Sequence, residues 1–378
     1  MKKVIRTSTV PISLDVLLKG QLKYIKNEFE VIALSSPGIQ LDNVGKREGV
    51  RTKSISIKRK ISIYNDIVSL FKLIYFFIKE KPHIVHSITP KAGLLSMIAA
   101  FITGCPYRIH TFTGLIFPYK TGFQQKILIL MDRILCLCAT HIYPEGEGVK
   151  QDLLKFKITN KNLKILGNGN VNGVDLNYFN SSEVQGVDEL RNILKIDLDS
   201  FVYVYVGRIV KDKGICDLVS AFLEISKLQT NCKLIIVGDY ESSDLIDIET
   251  RNSINNNSSI LHVGFIEDIR PYLKLANVHI LPSYREGFPN VVLQAGAMSK
   301  PSIVTNISGS NEIIQNGYNG LIIDSKSVQD LFEVMEYVLL NKHILNNMGI
   351  NARKNIEAKY GNDILWKAIL DEYNSYFK

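Results

Sequence analysis

Phe201-Val202-Tyr203-Val204-Tyr205-Val206-Gly207-Arg208-Ile209-Val210-Lys211-Asp212-Lys213-Gly214 begins as an unbroken apolar run and ends as a charged loop closed by glycine. A run that is apolar at every position fits a strand covered on both faces, as in a parallel sheet. The residues that follow, 215–227, carry a helical apolar period. Strand, loop and helix therefore succeed one another here, and the same unit recurs along the chain. In the first half, short apolar runs occupy 29–35, 50–57, 83–89, 107–113, 141–144 and 163–166, with helical patterns such as 65–79 and 92–103 between them. In the second half the runs are 201–206, 233–237, 260–263, 278–281, 302–304 and 321–323. The fold class this predicts is α/β, with two doubly wound, Rossmann-like domains facing across a cleft. The polar stretch 252–259 reads as a loop.

A chain of 378 residues with 46% hydrophobic and 22% charged residues is long enough for two cores and too apolar for disorder. The Gly- and Asn-rich segment 167–180 and the polar stretch after it separate the halves. The expected domains are 1–170, 171–360 and a terminal segment, 361–378, which reads as an amphipathic helix carrying Trp366 and Tyr373. Five scattered cysteines without zinc-ligand spacing suggest reduced, structural thiols in a cytosolic protein. No leader peptide and no spanning segment is expected, because Asp132-Arg133 interrupts one of the two most apolar runs and the other, 93–104, is too short.

Charge divides unevenly. Residues 1–165 hold 26 Lys and Arg against 11 Asp and Glu, a net +15, whereas the remainder is net −7. A basic half points to an anionic partner, nucleic acid or a membrane surface, or else to a lysine-rich solvated surface. The sequence contains no nucleic-acid motif, so nucleic acid is not an expected partner.

Ligands of open α/β sheets bind beyond the carboxyl ends of the strands. Two loops in the second half sit there. In the first, Gly207 allows a sharp turn, and Arg208 and Lys213 offer a planar fork and a point charge to a pyrophosphate, the plain alternative being a solvated loop. The second is Pro282-Ser283-Tyr284-Arg285-Glu286-Gly287-Phe288-Pro289-Asn290-Val291-Val292-Leu293-Gln294-Ala295. Its helix starts near Asn290, where unbonded amides suit phosphate. Glu286 beside such amides is costly unless it accepts from hydroxyls or meets a cation. Gln294 shares a helix face with Asn290.

Gly207-Arg208 with Lys213-Gly214, joined to Glu286-Gly287-Phe288-Pro289-Asn290, resembles the retaining glycosyltransferases of family 4, which have the GT-B fold and include capsule and O-antigen assembly enzymes. Asn172-Gly173-Val174-Asp175 is similar to the family's hinge, and residues 87–93 and 108–114 resemble a capsule-type branch. The resemblance covers nearly the whole chain. It implies that Arg208 and Lys213 hold the donor diphosphate and that Glu286 contacts the donor sugar. It also implies that Gly207, Gly287 and the amides around Phe288, Asn290 and Val291 line the diphosphate, and that position 294 meets the ribose. The family's second glutamate is replaced by Gln294, which keeps one acceptor oxygen and predicts weaker donor binding. In the first half, His110 is a candidate catalytic residue, with Thr113 as the other candidate for the family's histidine; a half-buried structural histidine is the plainer reading.

With no nucleophile in evidence and no Asp-x-Asp element at a strand end, the expected chemistry is front-face displacement without a metal or other cofactor. The implied partners are a nucleotide-sugar donor, UDP being favoured by the resemblance, a polyprenyl-diphosphate-linked saccharide acceptor and the anionic inner leaflet. Location at the cytoplasmic face of the inner membrane follows. Lys58-Arg59-Lys60 and the helix with Phe71, Tyr75, Phe76 and Phe77 either meet that surface or pack in the core. Two other readings stay open: a GT-B-type sugar-nucleotide 2-epimerase, and a sugar-nucleotide-binding protein weakened at Gln294.

Overall fold

A computed structural model describes residues 1–59, 62–241 and 244–378. The chain forms two compact units, Met1–Gly173 with Asn362–Lys378, and Val174–Gly361. Each is built on one six-stranded parallel sheet.

In the first unit the strands are β1 (Lys2–Thr7), β2 (Phe29–Ser35), β3 (Arg51–Ser54), β4 (Ile84–Ser87), β5 (Tyr107–Phe112) and β6 (His141–Pro144), in the order β3-β2-β1-β4-β5-β6. In the second they are β7 (Phe201–Val206), β8 (Cys232–Val237), β9 (Ile260–Gly264), β10 (Val278–Leu281), β11 (Ser302–Thr305) and β12 (Gly320–Ile323), ordered β12-β11-β10-β7-β8-β9. Numbered from its own first strand, each sheet has the doubly wound order 3-2-1-4-5-6. The order reverses between β1 and β4 in the first sheet and between β7 and β10 in the second. Helices cover both faces, so strand centres such as Phe201–Tyr205 are fully buried.

Three local readings of the sequence change. β1 went unread because its apolar residues are broken by Arg6, yet Arg6 is buried and donates to the Tyr373 hydroxyl at 3.1 Å. Residues 163–166 form no strand; Leu163 makes an isolated bridge to Ile142. Part of 252–259 belongs to the helix Ile248–Asn256, whose N-cap Asp247 accepts from the Thr250 amide at 2.7 Å and whose Ile254 is buried.

The final helix, Asn362–Ser375, packs on the first sheet. Its Tyr373 hydroxyl meets His86 Nδ1 at 2.6 Å, and Tyr143 donates to Glu372 at 2.7 Å. Asn172 ties the end of the first unit's main segment to this helix by accepting from Trp366 Nε1 at 2.7 Å.

Candidate functional site

The loops after β7 and β10 stand side by side because these strands are neighbours at the point where the second sheet reverses. Their backbones are joined: the Tyr284 amide donates to the Asp212 carbonyl at 2.8 Å. Gly214 ends the first loop at φ +68°, and a β-carbon there would collide with the Pro282 carbonyl. Two requirements, left-handed backbone and close approach, thus fall on one residue. Gly207, by contrast, is not left-handed; a β-carbon there would sit 2.9 Å from the Tyr205 hydroxyl, which donates to the Arg208 carbonyl at 2.6 Å.

Side chains extend this frame. Arg285 pairs with Asp212 at 2.9 Å, and Tyr284 donates to Asp217 at 2.8 Å. The Asp212 amide in turn donates to Asp244 at 2.8 Å, and Thr305, at the end of β11, donates to the Ser283 carbonyl. Inside the frame, Lys213 forms an ion pair with Glu286, both mostly shielded from solvent. Burial, with Glu286 nearby, pushes the Tyr205 hydroxyl above its ordinary range. Arg208 projects outward and pairs with Glu241. Gly287 lies between Glu286 and Phe288, whose ring is buried against Tyr360 at 5.5 Å, so Phe288 offers only backbone to a ligand.

The helix Asn290–Ala297 has Pro289 at its N-cap, whose side chain makes no capping bond to the first turn. Asn290 and Val291 are half-buried at this end. Gln294 lies one turn later, and its side-chain amide makes no hydrogen bond among the described residues. The structure therefore brings Gly207, Arg208, Lys213, Glu286, Gly287, Asn290, Val291 and Gln294 onto two adjoining strand-end loops and the helix that continues one of them. A lysine–glutamate pair beside helix-start amides can exchange its internal partner for an anion and a hydroxyl.

His110 does not belong to such a surface. It lies within β5, fully buried, with Nδ1 2.8 Å from Ser87 Oγ, its ring edge-on to Phe112 at 4.5 Å, and Nε2 unpartnered. Burial lowers its pKa to about 3, so it is neutral at neutral pH and presents no atom to a ligand. The expectation of a catalytic His110 is corrected here, because both faces of a helix-covered parallel sheet are interior. Thr113 is half-buried and donates to the Ile88 carbonyl at 2.9 Å.

Reading the sequence overlooked the acids that hold this loop: Glu241, which pairs with Arg208, Asp244, which accepts from the Asp212 amide, and Asp212, which pairs with Arg285. The signal was present, since 239–244 follows a strand and carries three acids among its described positions. Among the described residues no helix is long and apolar enough to cross a membrane.

Comparison with known proteins bears on both units. The family model "Glycosyl transferases group 1" matches residues 186–355, and "Glycosyltransferase Family 4" matches residues 20–175. The chain is 34% identical over 379 residues to the capsular polysaccharide biosynthesis glycosyltransferase CapM of Staphylococcus aureus, covering 100% of this chain and 98% of that protein. It is 28% identical to the UDP-Gal:alpha-D-GlcNAc-diphosphoundecaprenol alpha-1,3-galactosyltransferase of Escherichia coli, over 91% of each chain. Among solved structures, Anabaena HepE in complex with UDP superposes with a TM-score of 0.83 at 16% identity, covering 99% of this chain and 100% of that one.

Proposed function

This chain is a glycosyltransferase that belongs to the family of group 1 glycosyl transferases, with a family 4 amino-terminal part and the GT-B fold, and on that premise we propose a specific reaction. The protein moves a sugar, with retention of anomeric configuration, from a UDP-hexose or UDP-N-acetylhexosamine to a polyprenyl-diphosphate-linked saccharide during surface polysaccharide assembly. It works at the cytoplasmic face of the inner membrane.

The observation that carries the donor site is the Lys213–Glu286 pair on adjoining loops at the reversal of the second sheet. Without a donor each charge satisfies the other. With one bound, Lys213 turns to the diphosphate and Glu286 accepts from sugar hydroxyls. Arg208 leaves Glu241 for the same diphosphate, and the amides at Phe288, Asn290 and Val291 complete the phosphate contacts. Gln294 takes a ribose hydroxyl with the amide that is otherwise unbonded.

In the reaction the bond between the anomeric carbon and the phosphate oxygen breaks, and the acceptor oxygen bonds to the same face of that carbon. The acceptor proton passes to the departing phosphate oxygen. Charge grows on the diphosphate, where Arg208 and Lys213 stabilise it; a well-placed donor of this kind is worth roughly 10²–10³ in rate.

The test is a panel of nucleotide sugars, with and without a lipid-linked acceptor. UDP release that requires the acceptor, with a retained anomeric configuration in the product, is the expected outcome. Acceptor-independent appearance of the 2-epimer would assign the chain to epimerases instead. Tight UDP-sugar binding without turnover would assign it to binding proteins weakened at Gln294.

A further inference from the structure

The helix Ile63–Glu80 of the first unit is apolar on two sides. One side, with Leu73, Phe76 and Phe77, is buried in the unit's core, where the helix packs against the helix Pro90–Ile102. The other presents Ile63, Tyr64, Ile67, Phe71, Tyr75 and Ile78, each between 49 and 77% exposed. At 3.6 residues per turn these six fall within an arc of about 120°. The three rings alone carry on the order of 300–500 Å² of open surface, at the scale of the largest patch a soluble monomer ordinarily shows.

The charges around the arc have one sign. Lys72 and Lys79 lie at its border, both exposed, and Lys58 and Arg59 precede the helix. None of these four pairs with a carboxylate among the described residues. The helix's own acids are neutralised: Asp66 by Lys91 at 2.7 Å, and Glu80 by Lys3 at 2.7 Å and Arg51 at 2.8 Å. The whole unit holds 28 Lys and Arg against 14 Asp and Glu, a net +14.

We infer that this helix is the element by which the first unit enters an anionic lipid surface. The six-residue stripe lies in the boundary between headgroups and acyl chains, and the lysines bind lipid phosphates. This rests on the reading that the acceptor is lipid-linked, and it assigns the surface by which the protein reaches that lipid. A second copy would bring +14 against +14, whereas an anionic bilayer accommodates both the charge and the stripe. The two tyrosines suit the interface, with a ring to bury and a hydroxyl to hydrate. The helix also follows β3, so its Ile63 end lies at the carboxyl edge of the sheet, the edge at which ligands of such sheets enter.

The test uses the full chain with vesicles of phosphatidylethanolamine and phosphatidylglycerol, and with pure phosphatidylcholine vesicles as the neutral control. Wild type sediments with the anionic vesicles. Ile67→Ser/Phe71→Ser/Tyr75→Ser, all exposed positions, lowers partitioning at least about tenfold without changing the melting temperature. Lys72→Glu/Lys79→Glu lowers it about fivefold or more at low salt, a difference that disappears near 0.5 M salt. Phe71→Trp shifts its emission to the blue on adding anionic vesicles, against the constant signal of Trp366. Partitioning of the triple variant within twofold of wild type overturns the inference. So does a dimer that the triple variant dissociates while vesicle binding stays unchanged. Transfer to a water-soluble acceptor analogue without vesicles is read in parallel and is unaffected by the triple variant. Its absence in wild type would sink the proposed transfer reaction while leaving the vesicle result standing.

Discussion

The two units share one strand order and differ at the carboxyl edges of their sheets. In the second unit the loops after β7 and β10 are joined backbone to backbone, and charged side chains meet inside that frame. In the first, the polar residues near the same edge turn inward: Ser87 pairs with His110, and Thr9 meets Thr89 at 2.8 Å. What the first unit offers outward is an apolar stripe bordered by lysines. Topology alone therefore does not make a site. Each edge takes its chemistry from whether close backbone packing leaves charged groups exposed or buries neutral ones.

Glycine substitution sharpens this contrast most strongly. Gly104 in the first unit and Gly214 in the second have nearly the same φ, +67° and +68°. A β-carbon at Gly104 meets nothing within 4 Å, whereas one at Gly214 strikes the Pro282 carbonyl. Gly104→Ala is expected to cost only the left-handed strain, about 1 kcal/mol, and Gly214→Ala at least about 3 kcal/mol. In a thermal melt the latter lowers the second unit's transition by about 6 °C or more, and donor binding falls with it. Equal effects at the two positions would break the comparison.

Acid separates the units next. His86 and His110 in the first unit and His279 in the second are all buried and held below the ordinary histidine pKa, burial being the main cause. A folded pKa below the unfolded one means that the unfolded chain binds the proton first. The stabilisation is therefore complete above about pH 6.5 and is lost as the pH falls from there toward the folded pKa, about 3 for His110 and His279. Between pH 7 and 5, His110 alone is worth about 2 kcal/mol. The first unit, with two such residues, should yield first. Trp366 is the sole tryptophan and belongs to that unit, so urea melts followed by its fluorescence report it directly. His110→Gln should reduce the acid loss; an unchanged pH dependence would contradict the assignment.

The smallest effect is expected at Glu241. Its pair with Arg208 is solvent-exposed, so Glu241→Ala should change stability by less than about 1 kcal/mol. A calorimetric melt checks this, and a larger loss would mean that Arg208 is fixed more firmly than its exposure indicates.

Much of this was legible in the sequence. The wholly apolar run of β7 announced a parallel sheet, and the glycine- and proline-shaped loop at 282–289 announced the neighbouring turn. Glu286 stood out because a carboxylate next to helix-start amides needs a reason. What stayed hidden depended on partners distant along the chain. Arg6 concealed β1, since nothing local says that it donates to a hydroxyl 367 residues away. Glu241 and Asp244 act on the loop after β7 only because β8 lies next to β7. His110 looked available because strand alternation says which residues share a face and not whether helices cover both. The exposed side of the helix Ile63–Glu80 was equally ambiguous, since a second apolar side can face either a core or a surface partner.

The central claim is that Lys213 and Glu286 exchange each other for the donor. It is tested most directly by acceptor-dependent turnover of wild type, Lys213→Ala and Glu286→Ala, with circular dichroism melts as the control for folding. The account predicts at least a hundredfold loss of kcat in each variant, about 2.7 kcal/mol, with melting temperatures close to wild type. Turnover within threefold of wild type in either variant would contradict it.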